Sequence, residues 1–337
     1  MCEPFGRSDP DSLINFGSDT IQETGFVFFF DQEPFHSRLH RKTFRQVNKA
    51  NLDIKEPMAY VVTSEYDSEI IRHQCSIYDW KPLYYFFHGW AALDWYRGYD
   101  RTFLIEPWHQ RSPTKTFISP NRIVAGAREH RMLMLYWIFK LGMQHNYVSC
   151  PLRCPAENIS IYDLAAVLPY SDASTVFESV DLPIQFAGEI DHPMHSCWLS
   201  LFDQSKDSVL YLVTETVAQG RRLHLTEKTF KPIALGMPFV IVSTQGSLEY
   251  LRSYGFRTFD NVWDESYDQE PDDVRRIERV AQLIKSIDTK SLAEKQELFR
   301  QCHSVIEHNW NHFYRGGFEK VLWQELTSML NGIEISN

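Results

Sequence analysis

Thr226, Glu227 and Lys228 place a hydroxyl, a carboxylate and an ammonium group side by side in the segment LTEKTFKPIALGMPFVIVST, residues 225–244. The segment continues as an amphipathic stretch and ends in a β-branched apolar run, which predicts a helix followed by a buried strand. Thr226 suits the N-cap of that helix, and a helix N-terminus attracts phosphate. Glu227 could accept hydrogen bonds from a ribose diol and Lys228 could neutralise a phosphate. The alternative is that both residues form a solvated first turn.

Glu215 lies near the end of the preceding predicted strand, SVLYLVTET, residues 208–216. Open parallel sheets bind their ligands beyond the carboxyl ends of the strands. Glu215 is therefore a ligand contact, a partner that holds Lys228, or only a polar strand end. Arg221 and Arg222 follow it and are expected to add positive charge to the same edge.

A second polar group follows another predicted strand in KTFISPNRIVAGAREHRMLMLYWIF, residues 115–139. The loop after that strand carries Asn121, Arg122, Arg128, His130 and Arg131, and a strongly apolar helix runs from about 129 to 141. A strand, a basic loop and a helix together indicate a βα unit that faces an anion.

Strands and helices alternate from residue 208 onward, which is typical of a parallel sheet covered by helices. We expect a further short strand at 256–259 and helices at 271–287, 291–313 and 318–330. In the N-terminal part we expect strands near 24–31, 59–63 and 83–87, a helix capped by Ser64, a turn at His88 and Gly89, and a basic surface helix between 36 and 52.

The composition narrows the class of protein. A net charge of −10 over 337 residues disfavours non-specific attraction to a nucleic-acid backbone. The six cysteines lack the spacing of a disulfide scaffold, which favours a reducing compartment, and Cys150 and Cys154 could hold a metal only with further ligands that the spacing does not supply. We find no membrane span and no secretory signal, so we expect a cytoplasmic protein.

Residues 115–139 and 210–259 resemble the donor-binding region of the α-1,3-fucosyltransferase family (family 10) and of related glycosyltransferases from phages and large viruses. In that family a strand ending in an acid is followed by the sequence TEK, a helix, an apolar strand and a turn of small residues. The companion motif is a strand that ends in Ser-Asn or Leu-Asn, followed by an Arg-bearing loop and a helix.

The resemblance implies an α/β fold of the GT-B type, with two Rossmann-like lobes whose parallel sheets are flanked by helices. We place an acceptor-side lobe at 1–112, a nucleotide-sugar lobe at 113–315 and a C-terminal helix at 316–337. A UDP- or GDP-linked sugar would serve as co-substrate without a cofactor or metal, and the acceptor would be a glycan or glycoconjugate. The cytoplasm would be that of the host if the protein is viral.

The same resemblance assigns roles to residues of the nucleotide-sugar lobe. Glu227 would hold the ribose and Lys228 the diphosphate, with Thr226 capping their helix. Arg128, or else Arg131, would contact the same phosphates. Glu215 would line the cleft, Asn121 would mark the companion motif, and the acids Asp264, Glu265 and Asp268 could cap a loop over the donor.

The catalytic base is expected in the N-terminal lobe. Asp31 and Glu33 follow a predicted strand, and an aromatic, poorly hydrated cleft would raise the pKa of a carboxyl group there. His88 is the competing candidate. Each has a structural alternative: Glu33 as a turn residue before Pro34, and His88 as a core imidazole. Three aromatic residues could form a platform for the acceptor sugar or belong to the core. They are Trp90, Trp95 and Tyr96.

Two other functions remain open. A viral glycosyltransferase acting on modified DNA bases would keep the donor lobe and use the basic segment 36–49 as its acceptor face, although the acidic net charge argues against it. A non-catalytic nucleotide-binding or interaction protein would keep the fold and lack the chemistry.

Overall fold

The computed structural model describes residues 26–31, 58–186 and 198–331, with side chains except at 26–31, 58–61, 78 and 127. The described residues form two compact units. The first comprises the described parts of Met1–His88, Arg221–His224 and Leu322–Asn337, and the second comprises the described parts of Gly89–Gly220 and Leu225–Val321. Both contain a parallel sheet with helices, so the predicted α/β class is confirmed. The domain limits that we expected from the sequence remain a prediction.

The first unit contains a three-stranded parallel sheet. Its strands lie in the order of the chain: β1 (Phe26–Asp31), β2 (Met58–Thr63) and β3 (Lys81–Tyr84). Helix α1 (Glu69–Tyr78) connects β2 to β3. Asp31 pairs with Thr63, and Thr63 pairs with Tyr84, so the three strands end at the same edge.

Helix α1 begins later than the sequence predicts. Its N-cap is Ser68, whose hydroxyl accepts a hydrogen bond from Ile71 N, and not Ser64. Asp67 has a φ of 49°, a left-handed conformation that turns the chain before the helix and cannot lie within one. The hydroxyl of Ser68 also donates to the buried carboxylate of Glu65 at 2.7 Å.

The predicted turn at His88 and Gly89 lies inside helix α2 (Phe87–Tyr96). Strand β3 accordingly ends at Tyr84 and not at Phe87. The surrounding apolar residues explain the difference, because burial of Phe86, Ala92 and Tyr96 stabilises the helix against the propensity of one glycine.

The second unit contains a four-stranded parallel sheet. Its strands are β4 (Lys115–Ser119), β5 (Tyr147–Val148), β6 (Ser208–Thr214) and β7 (Phe239–Val242). They lie in the order β5-β4-β6-β7. After β4 the chain forms β5 on one side of β4 and then β6 on the other side. The strand order reverses between β4 and β6, and ligands of open α/β sheets bind at such a point.

Helices connect the strands of this sheet and follow its last strand in the chain. Those that begin in the second unit are α3 (His130–Lys140), α4 (Ile161–Ala165), α5 (Ala173–Glu178), α6 (Phe202–Lys206), α7 (Glu227–Ala234), α8 (Ser247–Ser253), α9 (Asp273–Asp288), α10 (Leu292–Gln301), α11 (His303–Tyr314) and α12 (Gly317–Asn331). The predicted alternation β6, α7, β7, α8 is confirmed. Within the described ranges, no helix is both long and apolar enough to cross a bilayer.

Helix α3 is the central helix of the second unit. All its residues from 130 to 139 are buried, including His130 and Arg131, and helix α9 packs against it. Strand β6 is buried along its whole length. A helix that is apolar around its circumference must be enclosed by protein, and the apolar run after residue 131 predicted this.

Two expectations for the C-terminal half are wrong. Residues 256–259 form no strand: the side chain of Asn309 accepts from Arg257 N and donates to Arg257 O, both at 2.8 Å, and so replaces a neighbouring strand. The single helix expected at 291–313 is two helices, α10 and α11. They meet at Cys302, whose N–H bonds three residues back to Phe299 O and tightens the last turn of α10.

Candidate functional site

Glu215 joins the end of β6 to the start of α7. Its side chain is completely buried. One carboxylate oxygen accepts from Thr226 N at 2.9 Å and Thr229 Oγ1 at 2.6 Å, and the other accepts from Thr226 Oγ1 at 2.6 Å and Thr216 N at 3.0 Å. Four donors therefore stabilise the charge within the protein, and the connection of Glu215 to Lys228 runs through the two threonines Thr216 and Thr226.

The start of α7 has the predicted N-cap. Thr226 Oγ1 accepts from Lys228 N at 3.4 Å, and helical residues begin at Glu227. Because Thr226 N donates to Glu215 and Thr229 N bonds to Thr226 O, part of this helix N-terminus is satisfied internally. An anion near α7 would therefore depend on side-chain cations more than the sequence suggests.

Lys228 folds back over the helix N-terminus. Its ammonium nitrogen lies 2.8 Å from Glu227 Oε1, 3.1 Å from Thr216 Oγ1 and 3.2 Å from Thr226 Oγ1. The side chain of Glu227 is 8% exposed and that of Lys228 is 30% exposed. The buried position of Glu227 does not fit a solvated first turn, and Lys228 keeps enough exposure to meet a ligand.

His130 and Arg131 hold the end of β6 from the side of α3. His130 Nε2 donates to Glu215 O at 2.8 Å. The guanidinium group of Arg131 donates to Thr214 O, Glu215 O and Ile123 O at 2.8–3.2 Å. Arg131 thus bonds main-chain oxygens of the site. The sequence predicted only a phosphate contact for this residue.

Three cations lie around the buried imidazole of His130. Burial is the main cause that lowers the pKa of His130 to about 3, and the charges of Arg131, Arg128 and Lys228 lower it further. The pKa of Arg131 falls to about 10, chiefly through burial and then through Arg128. His130 is therefore neutral near pH 7, and the predicted cations belong to one electrostatic cluster.

The two acids of the predicted motifs belong to the same cluster. The charges of Glu215 and Glu227 partly offset the lowering of the Arg131 pKa.

Asn121 ties three strands together and is buried. Its amide nitrogen donates to Ser119 O and Ser119 Oγ, and its side-chain oxygen accepts from Thr214 Oγ1 at 3.1 Å. Its main-chain N–H donates to Ser149 Oγ at 2.7 Å. Asn121 thus fixes the ends of β4 and β6 and the residue that follows β5, and its side chain serves the loop geometry.

Arg221 and Arg222 pair with acids of the first unit. Arg222 lies 3.4 Å from the buried carboxylate of Glu65, and Arg221 lies 3.3 Å from Glu69 and 3.6 Å from Asp67. Leu223 and Tyr66 exchange two main-chain hydrogen bonds at 2.8 Å. The charge that these arginines were expected to add is therefore matched by carboxylates, because the segment 221–224 is built into that unit.

The three candidates for a catalytic base differ in how much of them the structure describes. Asp31 is the last residue of β1 and its side chain is not described, and Glu33 lies outside the described residues. His88 is buried, with its ring 5.0 Å from that of His224 in an edge-to-face contact, which favours the alternative of a core imidazole.

The aromatic residues of α2 differ in exposure. Tyr96 is completely buried, which favours the core alternative for this residue. Trp90 and Trp95 are half-buried. The possible sugar platform is thus reduced to the two tryptophans.

The acids after residue 263 brace the chain around α8. Glu265 accepts from Arg252, from Thr258 Oγ1 and from Phe259 N at 2.6–2.7 Å. Asp268 accepts from Leu248 N at 3.0 Å at the start of α8. Burial raises the pKa of both carboxyl groups. Glu265 and Asp268 thus stabilise a local turn.

Thr216 and Thr229 belong to the site and were missed in the sequence. Each lies beside a residue that we did single out, and the repeated pattern of threonine and acid in TET and TEKT was the available signal. Among the described residues, no group of three or more His, Cys, Asp or Glu could hold a metal ion. Cys150 and Cys154 are both completely buried.

Comparisons with known proteins give no relative: no family model, no curated protein and no solved structure matches the chain. The chemistry of the site therefore has to be argued from its residues.

Proposed function

We propose that the carboxyl edge of the second unit's sheet binds the diphosphate of a UDP- or GDP-linked sugar and that the protein is a glycosyltransferase of the GT-B type. The observation that carries the proposal is the convergence of Arg131 and Lys228 on residues 214–216 at the end of β6: Arg131 donates to Thr214 O and Glu215 O, and Lys228 Nζ lies 3.1 Å from Thr216 Oγ1. This convergence lies where the strand order reverses, at the usual position of a nucleotide in such sheets.

The chemistry of the cluster suits a leaving diphosphate. Side-chain cations held in a partly buried site stabilise developing negative charge strongly, since little water is present to screen them. Lys228 offers an ammonium group with partial exposure, and its neighbour Glu227 offers carboxylate oxygens that could accept from a ribose diol. These cations can take up the charge of the leaving group without a metal ion.

The proposed reaction inverts the anomeric carbon of the sugar. An acceptor hydroxyl of a glycan attacks that carbon, the bond to the diphosphate oxygen breaks, and the electron pair leaves with the diphosphate. A base accepts the hydroxyl proton. Asp31 and Glu33 are the proposed bases, with His88 as the alternative.

Two further features support the proposal. Each unit has a parallel sheet with helices, as the Rossmann-like lobes of a GT-B enzyme do. The resemblance of residues 115–139 and 210–259 to fucosyltransferase donor regions falls on the two segments that supply the cation cluster.

A thermal-shift screen over nucleoside diphosphate sugars tests the binding step. At least one UDP- or GDP-linked sugar should raise the melting temperature, because a ligand that binds only the folded state stabilises it. Glu227→Gln should reduce the shift, and Glu249→Gln at an exposed position of α8 is the matched control. No response to any of these compounds would contradict the proposed donor site.

Turnover separates an enzyme from a binding protein. The responding sugar nucleotide, incubated with glycan acceptors, should release the free nucleoside diphosphate together with a glycosylated product. Binding without any release in the presence of a broad set of acceptors would support the non-catalytic alternative. Product on DNA but not on glycans would support the alternative acceptor.

A further inference from the structure

We infer that Glu215 is a positioning residue for Lys228, acting through the hydroxyl of Thr226 and the main chain of Thr216. The inference rests on the proposed function, since it assigns Lys228 to the ligand. Glu215 itself is completely buried and would contact no substrate.

The direction in which the Thr226 hydroxyl donates its proton determines which of its neighbours it can accept from. A hydroxyl has one proton to donate and lone pairs to accept with. Thr226 Oγ1 lies 2.6 Å from Glu215 Oε2, and an ionised carboxylate can only accept. The hydroxyl therefore donates to Glu215, and its lone pairs face Lys228 N at 3.4 Å and Lys228 Nζ at 3.2 Å.

Thr216 provides a second connection. Its N–H donates to Glu215 Oε2 at 3.0 Å, and its hydroxyl oxygen lies 3.1 Å from Lys228 Nζ. Glu215 thus bonds one of the three oxygen atoms that surround the ammonium group, Thr226 Oγ1, and holds the main chain of Thr216, which carries the second; the third belongs to Glu227. Without the charge of Glu215, the Thr226 hydroxyl would be free to rotate away from this carboxylate. Its oxygen would then be a less constant acceptor for Lys228 Nζ.

Glu215 also occupies a position that a ligand anion could otherwise take. Its carboxylate accepts from Thr226 N at the start of α7, and Asp268 likewise accepts from Leu248 N at the start of α8. With internal carboxylates at both helix starts, a bound diphosphate would depend on side-chain cations. The placement of Lys228 then matters more than that of the α7 backbone.

A double-mutant cycle on nucleotide affinity tests this coupling. Glu215→Gln keeps the size and one acceptor oxygen but loses the charge, and it should raise the Kd of the responding nucleoside diphosphate about tenfold, as expected for loss of one charge-assisted hydrogen bond. In a Lys228→Met background the same change should alter Kd less than twofold. Equal losses in both backgrounds would show that Glu215 does not act through Lys228 and would overturn the inference.

Two threonine variants keep the test decisive if Glu215→Gln folds poorly. Thr229 Oγ1 bonds to Glu215, whereas Thr216 Oγ1 contacts Lys228 Nζ. Thr216→Val should raise Kd with little effect on melting, and Thr229→Val should lower the melting temperature and raise Kd less than Thr216→Val does. Thr226→Ser, which keeps the hydroxyl, should bind like the parent. The reverse pattern for the two valine variants would contradict the inference.

The parent protein distinguishes the two possible failures. If the parent binds no nucleoside diphosphate, the proposed function fails. If the parent binds and Lys228→Met weakens binding, but Glu215→Gln has an equal effect in both backgrounds, only the positioning role fails.

Discussion

The imidazole of His130 donates its Nε2–H to the main-chain oxygen of Glu215 at 2.8 Å. The carboxylate of the same Glu215 accepts from Thr226 and Thr229 of the α7 end. Glu215, which follows β6, is thus bonded to α3 through its main-chain oxygen and to the start of α7 through its carboxylate. This junction holds the cations of the proposed diphosphate site near one another.

His130 should make the protein acid-sensitive. Its pKa is lowered from 6.5 to about 3 in the folded state, chiefly by burial. Below pH 6.5 the imidazole is protonated in the unfolded chain but stays neutral in the folded chain. The free energy of unfolding therefore decreases as pH falls from 6.5 toward 3. The loss approaches about 1.4 kcal/mol per pH unit. Urea unfolding at pH 7, 6 and 5 measures it.

The variant His130→Gln isolates this contribution. Glutamine keeps a side-chain N–H for Glu215 O and does not titrate, so its unfolding midpoint should fall less steeply with pH than that of the parent. The control His73→Gln changes an exposed histidine and should keep the parent's slope. If the unfolding midpoints of the parent and of His130→Gln fell equally with pH, the imidazole of His130 would not be buried and neutral in the folded protein.

Arg131 should be intolerant of lysine. Its planar guanidinium group reaches three main-chain oxygens, and a single ammonium group cannot serve all three. We expect Arg131→Lys to destabilise the fold by about 2–4 kcal/mol, because buried carbonyl groups lose their donors. Arg300→Lys, on an exposed pair with Glu297, should change stability by less than about 0.5 kcal/mol. Similar effects at both positions would refute the assignment.

Asn309 should be required for the extended segment after α8. Its amide bonds both main-chain groups of Arg257, and Asn309→Leu would leave both without this partner. We expect a loss of about 1–3 kcal/mol in the free energy of unfolding. Asn311→Leu, at an exposed position of the same helix, is the matched control. A loss no larger than the control's would mean that the segment does not depend on Asn309.

The sequence predicted elements with a clear period better than it predicted their ends. The apolar runs of α3 and β6 and the cap of α7 were recognisable because burial and capping depend on local residue types. The segment 256–259 was misread because the group that satisfies its main chain, Asn309, lies some fifty residues later. Ser64 was preferred to Ser68 because nothing local reveals the left-handed turn at Asp67.

The sequence indicated several residues that lie near one another at the end of β6, but it did not indicate their contacts. The strand-end rule pointed to Glu215 and the basic loop, and the expected helix N-terminus pointed to Lys228. The sequence could not show that Glu215 is buried beneath Thr226. Nor could it show that Arg222 pairs with Glu65, because both facts depend on contacts between distant parts of the chain.

The most direct test of the diphosphate site is a calorimetric titration of the parent and of Lys228→Met with the responding nucleoside diphosphate. Loss of a charge-assisted contact should raise Kd at least about tenfold, while Lys231→Met should bind like the parent. A Lys228→Met protein that binds the nucleotide as tightly as the parent would contradict the account.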